Sequence, residues 1–303
     1  MVRNMVTHEL VRGLRALLST TADLTFRLSS PSLWSPEPGS LGDSELRNTE
    51  VGPKGPWGEL PVRTAYAMGC MGIHAAAEYA RALHAVLTVD RPPLVPETLA
   101  RGSLEIAAST SWLLQEDIGA RRRVCRLQLM RIKSALELER AVNEIGVSNA
   151  NGEYGETPDQ VRRTSDELGL ASFLGKGNDE AAACESETRP NYTTRARRLL
   201  DDWGAKGAYA LYSGAAHGEL YSLWRSFRAA GAPVSGQQQL FELAPDPTGL
   251  HRATHAVLLA MVAPLERAAL LFGWHSAAGP GADLSAAIDA VNAELARLAP
   301  PSV

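Results

Sequence analysis

Cysteine and aromatic residues are scarce in this chain, and neither sign of charge is in large excess. Its 303 residues include three cysteines, Cys70, Cys125 and Cys184, scattered with no C-x-x-C pair and no zinc-type spacing. Neither a disulfide framework nor a thiolate metal site is therefore indicated, and a reducing, cytoplasmic setting is the expectation. The net charge of -4 supplies no overall pull toward nucleic acid or an anionic membrane, although local arginine clusters keep a nucleic-acid partner open. No run reaches the roughly eighteen uninterrupted apolar residues that would suggest a membrane span. The first residues interleave Arg3, His8, Glu9, Arg12 and Arg15 with apolar positions, unlike the continuous apolar core of a signal peptide. A soluble protein without membrane association is expected. No glycine-rich phosphate loop is present, so neither a nucleotide nor any other cofactor is implied. His74-x-x-x-Glu78 and His251-x-x-x-His255 each place two ligand types one helical turn apart. However, His-Glu-x-x-His and the paired Glu-x-x-His helices of di-iron bundles are both absent, and no metal is expected.

What is present is helical periodicity in a chain that is 45% hydrophobic and 6% aromatic. Apolar residues recur at helical spacing over 6–28, 61–89, 97–114, 117–145 and 193–230, with a break near Gly204, and again over 247–273 and 283–298. Asp117 is read as an N-cap, and Gly146 as a helix end. Residues 29–60, rich in proline, glycine and serine, read as an irregular loop. Residues 147–192 read as a polar excursion or lid containing one short helix after Pro158, and 237–243 as a short extended piece. With no internal repeat and no strand-helix alternation, the expectation is an all-α fold: a single helical bundle of about seven to nine helices forming one domain over 1–303.

Polar residues on otherwise apolar helices mark the candidate site. His74, Glu78 and Arg81 share one stripe, and Arg101, Glu105, Ser109 and Trp112 share one face of the next helix. Arg131 interrupts the apolar stripe of Val124, Leu127, Ala135 and Val142, and a pair between Glu105 and Arg131 is one way to neutralise both. The run Arg121, Arg122, Arg123 and Arg126, with Arg195, Arg197 and Arg198, reads first as a solvated face balanced by Glu116, Asp117, Asp201 and Asp202. Its inward members, Arg123 or Arg131, are the candidates to hold a phosphate or carboxylate. His217 lies among Gly214, Ala215, Ala216 and Gly218, and at 100° per residue it shares a face with Ser213, Tyr221 and Trp224. An imidazole flanked by such small residues is open to a ligand and is a side chain suited to acid/base chemistry. A Ser213/His217 nucleophilic pair is disfavoured, because a serine inside a helix has no free backbone N–H to build an oxyanion hole.

The stretches LEIAASTSWLLQEDIG at 104–119, LYSGAAHG at 211–218 and LLFGW at 270–274 resemble a family of uncharacterised all-helical actinobacterial proteins, a resemblance that implies a fold and no activity. The Ser-x-x-x-His element also loosely resembles the last core helix of HEPN-type bundles, which include ribonucleases of defence systems. Those enzymes carry an arginine four to six residues before the histidine, where this chain has Leu211, Tyr212 and Ser213. Three functions are carried forward. The first is an acid/base enzyme acting on a small metabolite, an anionic one where an arginine contacts it, with specialised metabolism as the suggested setting. In it His217, Glu105, Tyr212 and Tyr221 are catalytic, while Arg131, Arg123, Ser213, Trp112, His74 and Glu78 contact the substrate. The second is a HEPN-like RNA-binding protein or ribonuclease. The third is a non-catalytic binding or regulatory module. Apolar helix faces also make a homodimer an expectation.

Overall fold

The computed structural model describes residues 2–28, 35–87, 95–147, 152–170, 172–173, 183–202, 207–221, 227–229, 241–243 and 247–274, with single positions at 286, 289, 290 and 293. The fold is an all-α bundle with a few short strands. Among the described residues nine helices appear: α1 (Val2–Leu28), α2 (Leu41–Leu46), α3 (Leu60–Val86), α4 (Val95–Leu113), α5 (Gly119–Glu144), α6 (Pro158–Glu167), α7 (Tyr192–Asp202), α8 (Ala208–Ala216) and α9 (Pro247–Phe272). The helix expected over 283–298 lies almost wholly outside the described residues.

α4 is the hub. It packs against α3 and α9 along its length and against α7 and α8 on another face, while α1 closes over α3 and α9. Leu83, Leu104, Ala107, Leu200, Tyr212, Val257 and Met261 meet in one core cluster. Each fully buried leucine there contributes about 1.5–3 kcal/mol. α3 and α4 approach closely because small residues face each other: a Cβ added at Gly72 would overlap the Thr110 hydroxyl. α9 is apolar and long enough to cross a membrane by composition, and 78% of its most apolar stretch is buried inside the bundle.

The second core cluster joins α3, α5 and the end of α9, with Trp57, Val161, Leu170, Cys184 and Trp274. The 29–60 stretch, expected as loop, contains α2 and a two-stranded hairpin, β1 (Val51–Gly52) with β2 (Gly55–Pro56). Its polar composition hides two anchors, Leu46 and Trp57, whose burial ties it down. Within 147–192, α6 is where Pro158 placed it, under a Thr157/Gln160 capping box. A three-stranded sheet follows: β3 (Ser172–Phe173), β4 (Ala183–Cys184) and β5 (Glu187–Thr188). The described part of this segment sits on α5 rather than extending away from it, because Val161, Leu170 and Cys184 are buried there.

Two further expectations are corrected. Asp117 is not a cap: it has φ +57, and α5 starts after Ile118 without a side-chain cap. The α8 helix does not continue to residue 230. It stops at Ala216, and β6 (Phe227–Ala229) pairs with β7 (Phe241–Leu243), the latter inside the stretch expected to be extended. The stop is built from the backbone. Gly218 adopts φ +67, its N–H donates to Ala215 O, and Glu219 N–H donates to Gly214 O at 2.8 Å. This closure satisfies the last carbonyls of α8 through a left-handed residue that glycine adopts at no steric cost.

Candidate functional site

α4 carries the site. Its spacing puts Arg101, Glu105, Ser109 and Trp112 on one face, as the sequence suggests, and α7 and α8 cover that face. Arg101 Nε donates to Glu105 Oε1 at 2.9 Å, and Ser109 Oγ donates to the Glu105 carbonyl at 2.8 Å. From α8, the Tyr209 hydroxyl reaches the same Glu105 Oε1 at 2.6 Å. At the end of α8, His217 Nε2 lies 2.7 Å from Arg101 Nη1. The result is a hydrogen-bonded chain, Tyr209 to Glu105 to Arg101 to His217, that begins in the core and ends at an exposed imidazole. Because a guanidinium only donates, Nε2 is assigned as the acceptor and the ring proton to Nδ1. Burial and the adjoining Glu105 carboxylate push the Tyr209 hydroxyl above its ordinary value, so it holds its proton.

Of the residues expected to converge, Glu105 and His217 do so, bridged by Arg101. Ser213 is half-buried one turn from His217 and accepts the His217 backbone N–H on its carbonyl. The others go elsewhere. Arg131 pairs with Glu156 and with Gln128, not with Glu105. The inward stripe of α5 does exist, but along this half of the helix it faces α6 and the 152–157 segment instead of α4. Tyr212 is buried and donates to the Arg252 carbonyl of α9 at 2.9 Å, and the half-exposed Tyr221 donates to the Ala210 carbonyl at 2.9 Å. His74 meets Phe26 edge-on, and Glu78 accompanies Arg81 and Asp23, so this stripe packs on α1.

The α5 arginine run is neither a solvated face nor an open anion site. Arg123, fully buried, forks onto Glu45 through Nε at 2.6 Å and Nη2 at 2.8 Å, and its other N–H groups donate to the Leu113 and Gln115 carbonyls. Arg126 donates to Glu187 at 3.0 Å, to Gln115 at 2.9 Å and to the Trp112 carbonyl at 2.5 Å. Two guanidiniums of α5 thus cap the C-terminal carbonyls of α4, where helix geometry leaves acceptors without partners and the dipole favours cations. Arg121 is held by Glu50 and Glu185, and Arg122 by Glu187. The carboxylates come from distant segments instead of the nearby acids the sequence suggested. Glu116, one of those acids, pairs with Arg267 of α9.

Sequence reasoning left out Tyr209, gave Arg101 no role and placed Arg195 on a solvated face. Arg195 is 4% exposed and carries three nitrogens without any hydrogen-bond partner. Its guanidinium sits 4.9 Å from the Tyr192 ring centre and 5.5 Å from that of Trp112, whose ring is also 5.0 Å from Arg126. A signal was available, since Arg195 shares the helical stripe of Ala196, Leu199 and Leu200, all buried. Among the described residues no three His, Cys, Asp or Glu side chains are grouped to hold a metal. No family model, curated protein or solved structure matches the chain.

Proposed function

We propose that this protein is an enzyme that acts on a small anionic metabolite by proton transfer, with His217 as its acid/base. The observation that carries the reading is the chain from Tyr209 through Glu105 and Arg101 to the exposed His217, at distances of 2.6, 2.9 and 2.7 Å. Glu105 orients Arg101, Arg101 orients the imidazole, and Tyr209 keeps Glu105 in place as a donor. An anionic group entering beside Arg101 competes for its N–H groups and releases Nε2 of His217 as a base next to the bound substrate. Catalytic roles for Tyr212 and Tyr221 receive no support from their carbonyl-bound positions, and the anion contact passes from Arg131 and Arg123 to Arg101. The resemblance to the all-helical actinobacterial family is compatible with such an enzyme and does not specify its reaction.

The test is a screen of small phosphate- and carboxylate-bearing metabolites for turnover, with wild type and His217→Ala run side by side. Loss of a positioned general acid/base slows turnover by roughly 10²-fold or more. Equal turnover by the variant removes His217 from the chemistry.

The same pair favours a second reading, a HEPN-like ribonuclease, since the arginine missing from α8 is supplied next to His217 by Arg101 of α4. That reading requires RNA cleavage lost in both Arg101→Ala and His217→Ala, and RNA binding that weakens as salt rises. An intact RNA substrate after incubation with wild type eliminates it.

A further inference from the structure

We propose that the seam between α4 and α7 holds a small oxyanion, the phosphate or carboxylate group of a ligand, on the guanidinium of Arg195 with Arg189 beside it. Arg195 is the observation that demands an explanation. Its Nε, Nη1 and Nη2 are all buried and none donates to an acceptor, although a guanidinium carries five N–H donors. Leaving charged donors unpaired in the interior is expensive, and buried arginines elsewhere in this bundle avoid it. The faces of Tyr192 and Trp112 stabilise the cation through their ring electrons, but they do not satisfy donors that point outward in the guanidinium plane.

The charge beside Arg195 has the wrong sign for a structural pair. Arg189 stacks on the same Tyr192 ring at 4.7 Å, and its own Nε is buried without a partner. Burial first, and then the Arg189 charge, pull the Arg195 guanidinium down to about 10, so the site disfavours its own cation. Glu105 attracts Arg195 through space but lies beyond hydrogen-bonding reach. The first turn of α7 contains no acidic residue, and the N-terminal end of a helix is already positive. Two arginines, a helix start and two aromatic walls therefore surround donors with nothing to receive them. A planar carboxylate or a phosphate supplies two oxygens at the spacing of the guanidinium fork and relieves the repulsion between the cations.

This inference deepens the enzyme reading and rests on it in one respect only, that the oxyanion belongs to the substrate. Trp112 and Glu105, on the same face of α4, connect the two places: the ring contacts Arg195, and the carboxylate holds Arg101. A ligand anchored at Arg195 would present its remaining atoms toward the Glu105, Arg101 and His217 chain.

Anion binding is measured without turnover, by calorimetric titration of the full chain with inorganic phosphate and, separately, with malonate, at fixed ionic strength set by sodium chloride. At least one probe is expected to bind wild type, with affinity at least about tenfold lower in Arg195→Met and a few-fold lower in Arg189→Gln. Phosphate alone binding assigns a phosphoryl group, and malonate alone a carboxylate. Arg131→Gln, whose pair with Glu156 lies away from this seam, is expected to stay within about twofold of wild type, and because binding is read without turnover, a failure here is distinct from a failure of the acid/base reading. If Arg195→Met does not fold, Arg189→Gln and Arg195→Lys carry the test, the lysine losing the two-pronged contact while keeping the charge. Failure of both probes to bind wild type overturns the proposal, as does binding undiminished by the substitutions at 195 and 189.

Discussion

At the C-terminal end of α4, the guanidiniums of Arg123 and Arg126 each meet a carboxylate and a helix carbonyl, whereas Arg195, which shares the Trp112 ring with Arg126, meets neither. All three are buried. The difference shows where this bundle keeps its charges for structure and where it leaves them open. A buried ion pair contributes little net stability, yet losing one partner is severe because the other charge is stranded. A charge stranded from the start, as at Arg195, is tolerated by a fold only if something outside the chain completes it or if function repays the cost.

The largest effect that would sharpen the comparison is expected at Glu45. Glu45→Gln keeps the volume but strands Arg123, which is 0% exposed, and it also weakens the acceptor of the Tyr66 hydroxyl. A loss of about 3–5 kcal/mol in urea unfolding is expected. A loss below about 1 kcal/mol would mean that the two carbonyl contacts alone support Arg123. Next comes Glu105→Gln, which weakens the acceptor for both Arg101 and Tyr209 at a half-buried position. It should cost about 1 kcal/mol. The chemical shifts of the His217 ring should move with it, because Arg101 loses its anchor, and a ring signal identical to wild type would break the proposed chain at that link.

Arg131→Gln is expected to be the mildest of the charge changes, within about 1 kcal/mol, since its pair with Glu156 lies near solvent. A larger loss would show that the α5 stripe depends on this side chain for more than an exposed pair. The smallest expected signal is a pH slope. Burial, with His251 beside it, holds His255 below its ordinary value of 6.5. The unfolded chain therefore takes up the proton first as pH falls. Stability is fully present above about pH 6.5 and is lost as pH drops from there through the lowered value of the folded state. The melting temperature followed between pH 7.5 and 5 should fall less steeply in His255→Gln, whereas an unchanged slope would assign the effect to another group.

The helices were largely legible because local spacing records them: α3, α4, α5, α7 and α9 lie within a few residues of where periodicity, prolines and glycines place them. The end of α8 is misread because Gly218 lies among the small residues around His217 inside a stretch of helical spacing, whereas its positive φ stops the helix at Ala216. The site was legible only within one helix. The Arg101, Glu105 and Trp112 face follows from 3.6-residue geometry, but which helices cover that face does not. Arg131 was therefore assigned to the wrong neighbour, and Tyr209 was missed. Partner choice among arginines depends on long-range packing, as the link from Arg123 back to Glu45 in α2 illustrates, and no local pattern records it. Arg195 was readable in principle, from its place on the Ala196, Leu199 and Leu200 stripe.

The most direct measurement is a parallel one: urea unfolding midpoints of Arg123→Met and Arg195→Met in buffer free of phosphate and carboxylates. The account predicts opposite outcomes for the same chemical change, a loss of about 3–5 kcal/mol at position 123 because Glu45 is left buried and alone, and an unchanged or raised stability at position 195. A comparable loss at both positions would contradict it, showing that Arg195 is as fully engaged in holding the fold together as Arg123.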